Sequence, residues 1–226
     1  MDALHWAAVD GYFDGLFVGS DPVLDAALVD SASAGLPKIH VSPSQGKFLH
    51  VLAILAHAKN ILEIGTLGGY STIWLARALA PGGRLITLEA SDHHARVARA
   101  NIARAGLSDV VEIRLGPALD SLPKLAAEKR EPFDLIFIDA DKPATADYFN
   151  WAVRLSRPGS LIIVDNVMRK GAIINANSED ADIVGMRRCV ATMAADKRVT
   201  CAAMQTVGSK GYDGFALAVV KGEVLR

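Results

Sequence analysis

Oxygen ligands for a hard cation can be assembled from two short stretches of this chain. Phe133-Asp-Leu-Ile-Phe-Ile-Asp139 and Ser160-Leu-Ile-Ile-Val-Asp165 each run mainly apolar and end on an acid, and Asn166 follows the second. If both are strands lying side by side, roughly 4.8 Å apart, then Asp139, Asp165 and Asn166 open into one crevice. Two carboxylates that close repel each other unless a proton or a cation lies between them. Oxygen-only ligands, with water at the remaining positions, suit Mg²⁺ first, or Mn²⁺ or Ca²⁺, rather than Zn²⁺. Lys142, three residues past Asp139, is a candidate general base, because a neighbouring cation disfavours its ammonium form by like charge. The plainer alternative is that the acids cap following helices or pair with Lys142 and Arg169. Residue types alone leave both readings open.

A second chemistry lies earlier, in Asn60-Ile-Leu-Glu-Ile-Gly-Thr-Leu-Gly-Gly-Tyr-Ser71. Ile61 to Ile64 reads as a buried parallel strand, Gly65 breaks it, and Gly68-Gly69 let the backbone turn where a side chain would clash. A helix then runs from Tyr70 to Ala80, packing Ile73, Leu75, Ala76 and Leu79 on the sheet. Strand, glycine turn and helix form the first unit of a doubly wound sheet, with ligands above the turn. The dinucleotide fingerprint Gly-x-Gly-x-x-Gly is absent; the spacing here is Gly-x-x-Gly-Gly, with the acid Glu63 inside the strand end. That combination favours a nucleoside whose positively charged part approaches the turn. Glu89 closes the next strand, Arg84 to Glu89, where a carboxylate can accept both ribose hydroxyls. The ligand expected is S-adenosylmethionine.

The elements that must position these residues alternate along the chain. Residues 1–36 form an amphipathic helical extension, with Trp6, Val9, Tyr12, Phe13 and Phe17 as apolar points and a restart at Pro22. It could cap the site, pack on a second subunit or finish the core. Ser42-Pro-Ser-Gln45 starts a helix, with Gln45 completing a capping box and Phe48, Leu52 and Leu55 on one face. Further helices start at Ser91, Pro117 and Ser178, and Tyr148, Trp151 and Leu155 mark another. Pro117 is followed by Leu119, Leu122 and Leu125 on one side, Ser178 by Ile183, Met186, Val190 and Met193. Strands cover 109–115, 199–206 and 215–221. The segment from Val207 to Gly214 reads as a connection between neighbouring strands, so the last strand runs against the others. The expected fold is α/β: a Rossmann-like, doubly wound, seven-stranded sheet in a single domain, 1–226.

Composition narrows the function classes. Lysine and arginine number 24 against 25 acids, for a net charge of −1, and no basic stripe suggests a nucleic-acid partner. The longest apolar runs are strand-sized, so no membrane span is expected, and the start of the chain lacks signal-peptide features. A cytoplasmic protein follows, with Cys189 and Cys201 as reduced thiols. The six histidines, His93-His94 among them, read as surface or core residues. No nucleophile elbow, Cys-His pair or Walker sequence is present.

Taken together the motifs resemble the cation-dependent O-methyltransferases, the family of catechol and caffeoyl-CoA O-methyltransferases. The resemblance runs over roughly residues 36–221 and rests on six segments in matching order. These are Val41 to Leu49, Glu63 to Ser71, Glu89, Gly116-Pro-Ala118, Phe137 to Lys142, and Asp165-Asn166. It implies that Val41, Glu63, Gly65, Thr66, Ser71, Glu89, Ala118 and Asp139 hold S-adenosylmethionine. It also implies that Asp139, Asp165 and Asn166 bind the cation and that Lys142 accepts a phenolic proton. The methyl acceptor would be a small aromatic molecule with a vicinal diol, and the family's usual state implies a homodimer. A nicotinamide-dependent oxidoreductase is the alternative enzyme, supported by Glu89 and weakened by the missing fingerprint. A nucleoside-binding protein without turnover is the other. Val167 to Asn177 is expected to form a lid over the acceptor.

Overall fold

A computed structural model describes residues 2–222; Met1 and residues 223–226, part of the expected single unit of 1–226, lie outside the described residues. Strands β1 (Asn60–Ile64), β2 (Arg84–Glu89), β3 (Val111–Leu115), β4 (Phe133–Ile138), β5 (Ser156–Asp165), β6 (Val199–Gly208) and β7 (Gly211–Val220) form one sheet. Its order is β3-β2-β1-β4-β5-β7-β6. The pairs from β3 across to β5 are parallel, and β7 runs antiparallel to both β5 and β6. This is the doubly wound, mostly parallel, seven-stranded sheet that the sequence predicts. Helices α1 (Ala3–Phe13), α2 (Pro22–Ser33), α3 (Pro43–Leu55), α4 (Tyr70–Ala76), α5 (Asp92–Arg104), α6 (Ala118–Ala127), α7 (Thr145–Leu155) and α8 (Ala181–Ala195) accompany it.

The continuous apolar runs of the central strands follow from burial on both faces. Ile61, Leu85, Leu135, Phe137 and Ile163 point into one core with residues of α2 to α5. Leu62, Ile64, Leu88, Ile136, Ile138 and Val164 point into a second core, closed by α6, α7 and α8. By contrast α1 buries none of its residues, so it does not finish the core.

Four expectations about local structure change. The buried face of α3 is Gly46, Leu49 and Ala53, while Phe48 and Leu55 are exposed. The reason is Gly46: a Cβ there would enter the Trp74 ring, so α3 turns its smallest residue toward α4. Helix α4 stops at Ala76 rather than Ala80, because the chain folds back so that Ala80 N–H donates to Ala58. Helix α8 is capped by Asp180 rather than Ser178; its carboxylate accepts from the N–H groups of Asp182 and Ile183 at 2.8 and 3.2 Å. Most of Val207 to Gly214 is strand, with Val207 opposite Tyr212 and Gly208 opposite Gly211 in a tight hairpin.

Glu63 is fully buried on the face of β1 that carries Ile61. Its carboxylate accepts from the hydroxyls of Ser71 and Thr72 on α4 at 2.6 and 2.5 Å, and of Thr87 on β2 at 2.7 Å. Thr66 and Thr87 hydroxyls meet at 2.5 Å, so the glycine turn joins the same network. Burial nevertheless pushes the carboxyl from 4.5 up to about 7. An acid raised in this way binds its proton more tightly folded than unfolded, so its charge increasingly opposes folding between those two pH values. Glu63→Gln should therefore gain stability relative to wild type, by on the order of 3 kcal/mol, as pH rises from below 4.5 to above 7. Urea unfolding at the two ends of that window measures this; an offset independent of pH would contradict it.

Candidate active site

The carboxyl ends of β1, β2, β4 and β5 meet at one cavity of about 740 Å³. Of the residues expected at the site, Val41, Gly65, Thr66, Ser71, Glu89, Ala118, Asp139, Lys142 and Asn166 line it. Glu63 and Asp165 do not; both are buried beneath its wall, Glu63 reaching it through Ser71 and Asp165 through Asn166.

The glycine turn is built by close approach. Gly65 has φ +100°, and a Cβ on it would strike the carbonyl oxygen of Asp139. A Cβ on Gly68 would strike the Ser31 hydroxyl of α2. Buried Asn101 on α5 donates to the Gly68 carbonyl at 2.9 Å. Glu89 completes the turn from below. Its Oε2 accepts from the backbone N–H groups of Thr66 and Leu67 at 3.2 and 2.8 Å, and its Oε1 from Ser91 N–H at 2.9 Å. The carboxylate is thus aimed before any ligand arrives, and of its roughly four lone-pair sites one remains, on Oε1.

The acid end is arranged differently. The register Ile138 opposite Val164 brings Asp139 and Asp165 to the ends of adjacent strands. Lys142 Nζ lies 2.9 Å from Asp139 Oδ1, with the lysine 8% exposed. Asp165 Oδ2 accepts from Gln45 Nε2 at 2.8 Å, and Oδ1 from the Asn166 N–H at 2.8 Å. Burial, then the negative charge of Asp139, push the Asp165 carboxyl well above the usual carboxylate range. No three His, Cys, Asp or Glu side chains gather as a metal cluster among the described residues. The candidate donor set is two carboxylates and an amide. All three are hard oxygen donors, and the repulsion raising Asp165 is what a divalent cation relieves, so the set fits Mg²⁺, Mn²⁺ or Ca²⁺.

Several residues of the site escape sequence reasoning. Gln45 keeps the expected place in α3, its N–H bonded to Ser42 Oγ at 3.2 Å, but its side chain goes to Asp165 instead of closing a capping box. His94, read as surface or core, lines the cavity with Nδ1 3.4 Å from Glu89 Oε1. The signal was available: His94 lies in the first turn after the Ser91 cap, directly past Glu89. Tyr148 also lines the cavity and donates to Asp141 Oδ1 at 2.5 Å. Leu119 leaves the buried face of Leu122 and Leu125 to join the lining. Arg169 lines the cavity, whereas neighbouring Lys170 is exposed.

Comparison with known proteins follows the same lines. The family model described as O-methyltransferase matches residues 20–219 and so takes in α2 as well as the sheet. A catechol O-methyltransferase of Niastella koreensis is 55% identical, covering 98% of this chain and 100% of the relative. A catechol O-methyltransferase of Mycobacterium tuberculosis is 54% identical, covering 94% of this chain and 95% of the relative. The crystal structure of the O-methyltransferase from Bacillus cereus, in complex with SAH, superposes with a TM-score of 0.96 at 56% identity, covering 97% of this chain and 100% of that one. With a glycine turn, a braced acid and two strand-end carboxylates around one cavity, and with matches along nearly its whole length, the chain belongs to the O-methyltransferase family.

Proposed function

We propose that the protein moves the methyl group of S-adenosylmethionine to a hydroxyl of a catechol-type small molecule with the help of a divalent cation. One observation carries this reading: the glycine turn with Glu89 and the acid end with Lys142 line the same cavity. The names of the Niastella and Mycobacterium relatives and the SAH held by the Bacillus enzyme support it.

Val41, Gly65, Thr66, Ser71 and Ala118 would enclose the methyl donor, which supplies an electrophilic methyl on a sulfonium. Glu89 would take the ribose hydroxyls. Its orientation is already fixed by the turn N–H groups, so little ordering is left for binding to oppose. Glu63 lies under the turn, and its field reaches the donor's positive end through Ser71. Asp139, Asp165 and Asn166 would hold the cation, which would supply the Lewis acidity that lowers the pKa of an acceptor hydroxyl. Gln45 keeps Asp165 in place. Lys142 Nζ, steered by Asp139, takes the proton of the reacting hydroxyl when it stands as the neutral amine, since an ammonium has no lone pair to accept with. Holding acceptor oxygen and methyl together in one cavity removes the entropy of encounter.

A second copy of the chain is the partner this reading adds. Leu4, Tyr12, Leu16 and Phe17, all at least 60% exposed, form apolar surface of the kind that subunit contacts cover. Light scattering should give a dimer; a monomer at assay concentration would contradict it. Among the described residues no helix is long and apolar enough to cross a membrane.

Glu89→Gln removes the charge behind the ribose hydrogen bonds, each contributing on the order of 1.5–3 kcal/mol. The Kd for S-adenosylmethionine should rise roughly tenfold or more. Calorimetry returning the wild-type Kd from a folded variant would place the ribose elsewhere.

Chelation by EDTA should abolish transfer, and Mg²⁺ or Mn²⁺ should restore it. Gln45→Leu should weaken metal binding by roughly 10–100-fold, with activity recovered by excess cation. Lys142→Met should lower turnover by roughly 10²–10⁴-fold with cation affinity retained. Full activity of the chelator-treated enzyme would exclude the cation from the reaction.

A further inference from the structure

The connection after β5 doubles back through left-handed backbone that suits its Asn and Gly but not its Arg and Lys. Asn166, Arg169 and Lys170 have φ of 57°, 50° and 54°, and Gly171 has φ of 85°. Left-handed backbone is unfavourable for residues that carry a Cβ, and it persists where the surroundings over-determine it, as in ligand clamps. Here the determinant is Asp213 of β7, whose carboxylate accepts from the N–H groups of Met168 and Arg169 at 3.0 and 3.1 Å. The outcome is that the Arg169 side chain lines the cavity beside Asn166, Lys142 and Asp182.

The guanidinium is only half engaged. One Nη2 hydrogen goes to Asp182 Oδ2 at 2.7 Å. Nε is closed off from solvent with no acceptor, and Nη1 has no partner among the described residues. An ion pair with side chains 26% and 45% exposed contributes little in solvent. It does not offset both strained backbone and a buried donor without an acceptor. A guanidinium that lines a cavity, tethered through Nη2 and with Nη1 unpartnered, is suited to a carboxylate, which it meets in a charge-assisted hydrogen bond.

The fold also fixes which end of the cavity this fork serves. A Cβ on Gly185 of α8 would strike the Lys142 carbonyl, so α8 crosses directly on the turn that carries Lys142. Asp182 lies one turn earlier on α8 and holds Arg169 at that end. We propose that Arg169 selects methyl acceptors bearing a carboxylate: catechol acids rather than neutral catechols. The inference rests on the proposed methyl transfer and names its substrate class.

The test compares dihydroxybenzoate with dihydroxybenzamide, each with adjacent hydroxyls, and plain catechol as the third acceptor. In the wild type kcat/KM for the acid should exceed that for the amide by roughly tenfold. Arg169→Gln should collapse the ratio through the KM of the acid, and Arg169→Lys should keep part of it. Because each ratio is taken on one preparation, partial unfolding of a variant cancels. An unchanged ratio in Arg169→Gln overturns the proposal. Transfer to plain catechol with no preference for the acid overturns it alone, whereas no transfer to any of the three overturns the methyl-transfer reading with it.

Discussion

One backbone contact sets the geometry of the site: Gly65 lies so close to the Asp139 carbonyl that no side chain fits between them. β1 and β4 are the parallel pair at which the winding of the sheet reverses, with Ile64 opposite Ile138. Crevices open at such reversals because the following connections leave on opposite sides. In many sheets the two ends diverge. Here the missing Cβ lets them stay in contact, and Asp139 N–H donates to the Ile64 carbonyl at 2.9 Å. The turn after β1 and the acids after β4 and β5 therefore face one volume. Methyl transfer needs that arrangement, because donor and acceptor must meet without an intervening wall.

Around this junction three buried carboxylates are stabilised by three different means. Glu63 takes hydroxyl donors from α4 and β2, Glu89 takes the N–H groups of the turn, and Asp165 takes one amide and the next N–H group. Buried carboxylates are costly unless they are hydrogen-bonded or paired. Glu63 and Glu89 serve mainly to hold elements together, and Glu89 keeps one lone-pair site, on Oε1. Asp165 remains repelled by Asp139 despite its donors. That residual repulsion is the physical support for a cation in the proposed reaction. Lys142 offsets part of it, which ties the base to the same electrostatic balance.

The sheet was legible in the sequence because strands buried on both faces leave continuous apolar runs, and acids ending such runs stand out. Ile61 to Ile64 and Phe133 to Ile138 appear as strands where the runs predict them. The chemical residues on those strand ends were legible for the same reason. What escaped depends on contacts distant in sequence. Gln45 meets Asp165 across 120 residues, and Asn101 meets Gly68 across 33; nothing local distinguishes either from an ordinary helix residue. The face of α3 is not legible in the sequence because Gly46 carries no hydrophobicity, yet it decides how α3 approaches Trp74. In the sequence Arg169 and Lys170 read equally as contacts for an acidic acceptor or as solvated charges; only Arg169 turns to the cavity, because Asp213 on a later strand holds its backbone.

Anomalous diffraction from crystals grown with Mn²⁺ and S-adenosylhomocysteine tests the shared cavity most directly. One strong manganese peak should lie within coordination distance of side-chain oxygens of Asp139, Asp165 and Asn166, with the nucleoside over the glycine turn and its ribose on Glu89. Manganese bound elsewhere, or a nucleoside seated away from Glu89 while Asp139 and Asp165 keep their present partners, would contradict it.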